Sequence, residues 1–173
     1  MVKLKIEKLT YVKTPCKAHS TDAGIDFYIP ADLQYVVQKG KGIKIALTMV
    51  DDGCGYGDKI QQAAIEIEPH QSVLIPMGIK TKFDDNYALV FFNRSGIASK
   101  KHLFRGACIV DSSYRGEIFV NLTNVSNETQ YLLPGEKLIQ AMLLPVPEVT
   151  IEEGKVENDT ERGEGGFGST NNK

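Results

Sequence analysis

Proline and glycine interrupt this chain so often that only short strands fit between them. The segment "VKLKIEKL" alternates apolar and charged residues, and "SVLIPMGIKTKF", "YALVFF" and "AMLLPV" are apolar runs bounded by turn residues. In "EIFVNLTNV", the alternation places Ile118, Val120 and Leu122 on one face. Many short strands at regular spacing predict an all-β sandwich or barrel. Only "DKIQQAAI" could form a helix, and a short one.

The bulk composition limits the partners that we expect. At 173 residues the chain is long enough for one domain with a real core. Its formal charge of −2 argues against a nucleic-acid polymer as partner, although a single nucleotide needs only a few local donors. No apolar run reaches membrane-spanning length, so we expect no membrane partner. A charged N-terminus without a signal peptide and three widely spaced cysteines predict a cytoplasmic protein, bacterial or in a virus-infected host cell.

Two segments depart from the strand pattern and define the predicted organisation. We expect a β-barrel core over residues 1–147 with an insert at about 34–64. The insert contains the glycine-rich "DDGCGYGDK". This stretch does not fit a calcium loop, because Gln62 stands where the loop needs a glutamate. We interpret the insert as a hairpin or flap. Residues 148–173 join an acidic tether, "PEVTIEEGKVENDTE", to the glycine-dense end "ERGEGGFGST". We interpret that end as a mobile lid over a nucleotide.

Two polar clusters interrupt the first half of the strand pattern. In "TDAGIDFYIP", Asp22 and Asp26 flank an Ala-Gly pair, which suits either a strand-entry turn or a carboxylate presented to a metal. In "NRSGIASK", Arg94, Ser95 and Gly96 supply a guanidinium, a hydroxyl and backbone amides, all of which donate to phosphate. The alternative there is a polar turn with a helix cap at Ser95.

Two further clusters supply a base and a lid. In "GACIVDSSYRGEI", Asp111 follows two apolar residues, so we expect it to be partly desolvated and able to act as a general base beside the stacking ring of Tyr114. An ordinary hairpin is the alternative. In the tail, Arg162 adds a cation and Phe167 a stacking face among glycines that can form an anion nest. A flexible low-complexity end is the alternative, but Phe167 argues against it.

In this order the clusters resemble the five motifs of the trimeric dUTP pyrophosphatase (dUTPase) family. The matching segments are "AGIDFY", "RSGIAS", "GACIVDSSYRGE", "PGEKLIQAMLLP" and "RGEGGFGST", between roughly 22 and 170 apart from the insert. The resemblance implies a jelly-roll β fold, a homotrimer and a C-terminal lid donated by a neighbouring subunit. It also implies hydrolysis of dUTP to dUMP and pyrophosphate, with Mg²⁺ held mainly by the triphosphate. That activity would limit uracil in DNA and supply dUMP for thymidylate synthesis.

The resemblance also implies roles for individual residues. Asp111 would be the general base, Asp26 would hold the metal through water, and Tyr114 would pack against the deoxyribose and exclude a 2′-hydroxyl. The hairpin backbone would read uracil, and the lid would stack on the base and contact the γ-phosphate. The substrate-binding residues implied in this way are Arg94, Ser95, Gly96, Gly106, Ile109, Val110, Tyr114, Gln140, Arg162, Phe167, Gly168 and Ser169.

Three departures from the family pattern bear on these roles. Ser113 replaces a second aspartate, Cys108 stands where glycine is common, and the insert is longer than in the family core. We expect activity to survive the first two, whereas the insert could carry a surface for a protein partner.

Three competing functions remain open from the residues. A dCTP deaminase shares the fold but needs an arginine and a catalytic glutamate at an exocyclic amine, where this chain has "DSSYRGE". A nucleotide-sensing regulator would use the insert to bind a protein. A purely structural β protein would have no use for Arg162 and Phe167.

Overall fold

The computed structural model describes residues 2–51 and 59–166, which form a mostly β fold. None of the helices in these two ranges is long and apolar enough to cross a membrane. In chain order the elements are β1 (Lys5–Lys8), β2 (Ile25–Tyr28), α1 (Leu33–Lys39), β3 (Lys44–Asp51), β4 (Lys59–Ile67), β5 (Ser72–Pro76), β6 (Ile79–Lys82), β7 (Tyr87–Asn93), α2 (Ser95–Lys101), β8 (Leu103–Arg105), β9 (Ile109–Val110), β10 (Phe119–Asn124), β11 (Gln130–Leu132) and β12 (Lys137–Pro145).

The described strands form four sheets. Their orders are β2-β12-β7-β9, β5-β10-β8, β11-β4-β3 and β1-β6. The alternation predicted for "EIFVNLTNV" is confirmed, since Ile118, Val120 and Leu122 are all buried. Phe27 and Phe91 meet edge to face in the core, with ring centroids 5.0 Å apart. The predicted mostly β architecture is therefore present.

The prediction of a helix at "DKIQQAAI" is wrong. Residues 59–67 form β4, which pairs with β3 along its whole length and with β11 at its end. Ile65 and Ile67 are fully buried, so the segment gains its stability as a strand between two neighbours. The two helices lie elsewhere, and the Asp32 carboxylate caps α1 by accepting a hydrogen bond from the Tyr35 amide at 3.1 Å. Tertiary pairing therefore overrides the helix propensity of Gln and Ala.

The insert is rooted in the core of the barrel. β3 and β4 form an antiparallel pair, as expected of a hairpin, and residues 52–58 of its turn lie outside the described residues. Val36 on α1 and Ala64 on β4 are completely buried. The stretch at about 34–64 therefore supplies core side chains as well as an outer hairpin, and its predicted limits remain a prediction.

The four-stranded sheet places the polar clusters of the sequence. Asp26 on β2 lies opposite Gln140 on β12, which lies opposite Phe92 on β7. Residues opposite each other in an antiparallel pair share a face, so these three side chains point the same way. β2 and β9 are the two edges of this sheet, with β12 and β7 between them. At the usual spacing of strands the edges are roughly 14 Å apart.

The side chain of Asn124 fastens three segments of the barrel together. Its amide group donates hydrogen bonds to the carbonyl oxygens of Ile67, Glu68 and Glu128 at 3.1, 3.1 and 2.8 Å. Its carbonyl oxygen accepts from the backbone amide of Ser126 at 3.0 Å. Asn124 is completely buried, so water does not compete for the hydrogen bonds of its side chain.

We expect Asn124→Ala to lower the free energy of unfolding by about 2–4 kcal/mol, because it removes a completely buried amide whose hydrogen bonds join three segments. Asn127→Ala is the matched control, since Asn127 is exposed and makes a single side-chain contact to His70. Urea denaturation of both variants measures the difference. Equal losses in the two variants would contradict this account of Asn124.

Candidate active site

A polar pocket of about 380 Å³ lies beside the β2 edge of the four-stranded sheet. It brings together side chains that the sequence separates by more than a hundred positions. Four of its residues belong to the predicted site, namely Asp26, Arg94, Ser95 and Gln140. The remaining lining residues are Ala18, Asp22, Ala23, Gly24 and Lys137.

The Asp26 carboxylate organises this pocket. It accepts from Arg94 Nε at 2.9 Å through Oδ1 and from Lys137 Nζ at 2.7 Å through Oδ2. Arg94 Nη1 also donates to the Lys137 carbonyl oxygen at 3.3 Å. Asp26 is 8 % exposed, whereas both cations reach the pocket surface. Two cations share this carboxylate, and with Asp22 also in the lining the pocket is balanced in formal charge.

Local pairing on β2 fixes the position of Asp26. Its backbone exchanges hydrogen bonds with Cys16, and the Cys16 thiol lies 3.2 Å from the Tyr28 hydroxyl. Burial, followed by this contact with Cys16, raises the pKa of Tyr28 to about 12. Tyr28 is therefore neutral at physiological pH and adds no charge beside Asp26.

Gln140 is held in place by a close approach of Gly24. Its Nε2 donates to the Asn93 carbonyl oxygen at 2.9 Å, which leaves Oε1 facing Gly24 and the pocket. A Cβ on Gly24 would stand 2.5 Å from that Oε1. Only glycine at position 24 therefore leaves the amide of Gln140 in its place.

The polar segment "NRSGIASK" forms the start of helix α2 instead of a turn. Arg94 is the N-cap residue of α2 and Ser95 its first residue, so Ser95 does not cap the helix. A Cβ on Gly96 would meet nothing within 4 Å. The space beside Gly96 is therefore open, although Gly96 itself does not line the pocket.

Asp111 and Tyr114 lie on a tight turn after β9. The Tyr114 amide donates to the Asp111 carbonyl oxygen at 3.1 Å, and the Tyr114 hydroxyl donates to the Glu117 carbonyl oxygen at 2.9 Å. A Cβ on Gly116 would overlap that hydroxyl, so glycine is required there. Asp111 is exposed within one chain, which contradicts the expected partial desolvation. The reason is that β9 is a two-residue edge strand, where Ile109 is itself 64 % exposed.

The connection between β8 and β9 is tightly constrained. The Gly106 amide donates to the Asn121 carbonyl oxygen at 2.9 Å, and a Cβ on Gly106 would overlap the Asn121 side chain. Ile109 and Val110 pair with β7, so they extend the four-stranded sheet. Cys108 accepts a backbone hydrogen bond from Phe91 at 2.7 Å and packs against the core.

The structure does not bring all the predicted residues into one pocket of a single chain. β9 lies at the opposite edge of the sheet from Asp26. Arg162 is exposed, and its Nε donates to the carbonyl oxygen of Gly165 at 2.8 Å within its own turn. Phe167, Gly168 and Ser169 lie outside the described residues.

Lys137 is a pocket residue that the sequence analysis missed. It lies in the fourth matching segment, one residue after Glu136, and so reads as an ordinary surface lysine at the start of a strand. The signal available was its spacing of three residues from Gln140, but that spacing alone does not indicate a shared face in a strand. A β-bulge between Lys137 and Ile139 changes the register and explains why the alternation misleads.

The chain matches one protein family over most of its length. The profile of the dUTPase family matches residues 58–171. The chain belongs to the dUTPase family. Deoxyuridine 5′-triphosphate nucleotidohydrolase of Acinetobacter baumannii is 40% identical over 110 residues, which cover 62% of this chain and 73% of that protein. The protein of the same name from Acinetobacter baylyi is 39% identical over 113 residues, or 64% of this chain and 75% of that protein.

Solved structures of phage dUTPases share the fold. A mutant dUTPase of Staphylococcus bacteriophage 80alpha with dUpNHpp superposes with a TM-score of 0.71 and 19% identity, over 97% of this chain and 98% of that chain. A dUTPase from phage phi11 of S. aureus, described as having a species-specific insert, gives a TM-score of 0.65 and 17% identity. That match covers 91% of this chain and 99% of the phage chain. At these identities the likeness shows the fold alone.

We expect Asp26→Asn to lower the free energy of unfolding by about 2–4 kcal/mol, because it removes the shared partner of two neighbouring cations. The lower half of the range is favoured, since Arg94 and Lys137 are about one-third exposed and partly screened by water. Asp22→Asn is the matched control, because the Asp22 carboxylate accepts only from the backbone of His19 at 2.8 Å among the contacts described. Urea denaturation at pH 7 distinguishes them, and an equal effect of both variants would contradict the assigned role of Asp26.

Proposed function

We propose that this dUTPase family member hydrolyses dUTP to dUMP and pyrophosphate, with the Asp26 pocket holding the phosphate chain. The observation that carries the proposal is the convergence of three sequence-distant motifs on one polar pocket that holds a guanidinium, an ammonium and a hydroxyl. Family membership supports the same chemistry, because the relatives from Acinetobacter are named for it. The alternatives of a deaminase and of a purely structural protein lack comparable support.

The pocket residues have distinct roles in binding phosphate. Asp26 fixes Arg94 through its Nε, so the guanidinium is presented in one orientation and loses little freedom when an anion arrives. Lys137 supplies a second positive charge, and the Ser95 hydroxyl supplies a neutral donor at the rim. The open space beside Gly96 lets a phosphate oxygen approach the backbone amides. Gln140 orients the phosphate chain or metal-bound water through its amide.

Asp111 is the general base in this proposal. It takes a proton from a water molecule, whose oxygen attacks the α-phosphorus while the bond from that phosphorus to the bridging oxygen breaks. Pyrophosphate leaves, and the new P–O bond completes dUMP. Tyr114, held by its hydrogen bond to the Glu117 carbonyl oxygen, packs against the deoxyribose and leaves no room for a 2′-hydroxyl. The constrained backbone of Gly106, Ile109 and Val110 reads uracil.

A homotrimer of jelly-roll subunits completes the site. Asp26 and β9 lie at opposite edges of one sheet. In the trimer the phosphate pocket of one copy would meet the Asp111 turn of another. This contact would also cover Ile109 and remove water from Asp111, both of which are exposed in a single chain. Residues Arg162, Phe167, Gly168 and Ser169 of a third copy close over the nucleotide as a lid.

Mg²⁺ fits this site as a companion of the triphosphate. Among residues 2–51 and 59–166, no three or more His, Cys, Asp or Glu side chains cluster to hold a metal. Both Asp26 oxygens already accept from cations, so Asp26 reaches a metal only through water. When bound, Mg²⁺ neutralises charge on the phosphate oxygens. A structural Mg(II) ion is described for the phage phi11 dUTPase.

We expect Asp111→Asn to lower kcat about 10³-fold on dUTP, because the amide cannot accept the proton from water. A chain ending at Glu161 loses the lid, and we expect its kcat/KM to fall on the order of 10²-fold. The measurement is pyrophosphate release from dUTP, dCTP, dTTP and UTP with Mg²⁺. Asp85→Asn, at an exposed turn before β7, is the control and should keep full activity.

Each outcome of this assay has a definite meaning. Selective cleavage of dUTP that is lost in Asp111→Asn supports the base, and the truncated chain tests the lid independently. Cleavage of UTP as fast as dUTP would contradict the role of Tyr114. An intact chain that releases no pyrophosphate from dUTP would overturn the proposed function.

We propose as a second function that the insert binds a protein partner. One face of β3 exposes Leu47 and Met49, by 65 % and 53 % respectively, beside Ile45 at 40 %. An apolar cleft of about 380 Å³ continues this face towards α1, where Val37 is 47 % exposed. Exposed apolar side chains in one contiguous patch are typical of interaction surfaces.

We expect Leu47→Ser combined with Met49→Ser to weaken partner capture while leaving dUTP hydrolysis unchanged, because both side chains face away from the core. Deleting about 34–64 would be a poor test, since it removes the buried Val36 and Ala64. Thr48→Ser, on the other face of β3, is the control. Capture from a lysate and dUTP hydrolysis are measured on the same samples. If the double variant loses hydrolysis as well, this face is structural and the proposal is wrong.

A further inference from the structure

Asn93, the last residue of β7, holds two different parts of the site, one with its backbone and one with its side chain. Its carbonyl oxygen accepts from Gln140 Nε2 at 2.9 Å, which fixes an amide that lines the polar pocket. Its Oδ1 accepts from the backbone amide of Arg105 at 3.1 Å. Arg105 ends β8, immediately before residues 106–110. We call residues 106–110 the base-reading segment, because the proposed function assigns the reading of uracil to their backbone.

The base-reading segment has few anchors of its own. β9 is only two residues long, and among the described strands it pairs with β7 alone. Ahead of β9, the Gly106 amide donates to the Asn121 carbonyl oxygen, and the Cys108 carbonyl oxygen accepts from the Phe91 amide. The Ile109 side chain is exposed, so its burial does not hold the segment down. A segment with so few contacts depends on how the residue before it is held.

The side chain of Arg105 adds an anchor at this point. Its Nη1 donates to the Gly106 carbonyl oxygen at 3.2 Å, and its guanidinium carbon lies 5.7 Å from the centroid of the Phe92 ring. A guanidinium stacked on an aromatic ring keeps its plane in one orientation. The Arg105 side chain therefore joins the first residue of the base-reading segment to β7.

The Nε of Arg105 is buried and has no hydrogen-bond partner in residues 2–51 and 59–166. A buried donor without a partner destabilises a fold, so its presence requires an explanation. A methionine would cover the Phe92 ring without burying a donor. What arginine adds is the hydrogen bond to the Gly106 carbonyl oxygen.

Asn121 on β10 holds the start of the segment from the other side. A Cβ on Gly106 would overlap the Asn121 Oδ1, and Asn121 Nδ2 donates to the Val73 carbonyl oxygen at 3.2 Å. Gly106 thus lies between Asn121 and the pair formed by Asn93 and Arg105. Loss of the contacts on one side would leave its backbone free to shift.

We propose that Asn93 and Arg105 are positioning residues that fix the base-reading segment and so set the affinity of the site for uracil. This inference rests on the proposed function, in which the backbone of that segment reads the base. Backbone groups that recognise a base must keep both distance and direction, so a small shift of the segment weakens binding. The two side chains act through the segment and do not touch the nucleotide.

Mutation can separate the two contacts of Asn93. Asn93→Ala keeps the carbonyl oxygen that holds Gln140 and removes the oxygen that holds the Arg105 amide. Arg105→Met removes the donor to Gly106 and keeps an apolar cover on Phe92. Both variants should therefore loosen the base-reading segment while the polar pocket keeps its contacts.

Isothermal titration calorimetry of the full chain with two probes distinguishes base binding from phosphate binding. dUMP carries the base, whereas inorganic tripolyphosphate with Mg²⁺ carries only phosphate. We expect Asn93→Ala and Arg105→Met each to weaken the binding of dUMP about tenfold and to leave the binding of tripolyphosphate unchanged. Asn86→Ala is the matched control, because Asn86 lies before the other end of β7 and its Nδ2 donates to Asp84 at the surface. It should bind both probes like the original chain.

Steady-state kinetics on dUTP give a readout that a loss of stability would not produce. We expect KM to rise about tenfold in Asn93→Ala and Arg105→Met while kcat changes by less than about twofold. The Asp111 turn keeps its own hydrogen bond from the Tyr114 amide, so the base should remain in place. Partial unfolding would instead lower kcat and leave KM unchanged.

Hydrogen exchange at the Arg105 amide tests the contact itself without any nucleotide. We expect this amide to exchange about tenfold faster in Asn93→Ala than in the original chain. Asn93→Asp keeps an acceptor oxygen at the same position, so it should restore the slow exchange. Equal exchange in Asn93→Ala and the original chain would overturn the proposal.

The outcomes separate this inference from the proposed function. A full chain that neither binds dUMP nor hydrolyses dUTP would overturn both. A full chain that binds dUMP no better than Asn93→Ala and Arg105→Met do, while hydrolysing dUTP, would overturn this inference alone. Parallel losses of dUMP and tripolyphosphate binding would also overturn it, because they would assign the two residues to the polar pocket.

Discussion

The carboxylate of Asp26 is the centre on which the polar pocket at the β2 edge depends. It is nearly buried, and Arg94 and Lys137 each donate to a different one of its oxygens. These two contacts hold β2, the start of α2 and the start of β12 together, although the three segments are far apart in the sequence. A cation aimed in advance at an incoming anion does not have to reorganise when that anion binds.

The width of one sheet explains why a single chain presents only part of the site. β2 and β9 occupy opposite edges of the four-stranded sheet, so the Asp26 pocket and the Asp111 turn lie apart within one copy. The exposed Ile109 and Asp111 fit a surface that another copy covers. Assembly would thus complete the catalytic site.

The sequence predicted the outline of the fold and part of the site. Alternation identified the inward residues of β10, and polar interruptions identified Asp26, Arg94 and Ser95. The family resemblance added Gln140, which lies in the same pocket. The residues 59–67 were predicted wrongly because pairing with two strands outweighs local helix propensity. Lys137 was missed because a bulge shifts its register, and no sequence pattern reveals a bulge. Asp111 is exposed in a single chain. Local sequence does not encode whether a second copy of the chain covers it.

Gly24 and Gln140 act as one steric unit, since a methyl group on the first would occupy the place of the amide oxygen on the second. Position 24 is therefore not free to vary while Gln140 keeps its present place. A larger residue at 24 requires a shorter one at 140, and the intermediate with only the first change would have a displaced amide in its phosphate pocket. A sequence that loses both residues would therefore replace Gln140 first and Gly24 second.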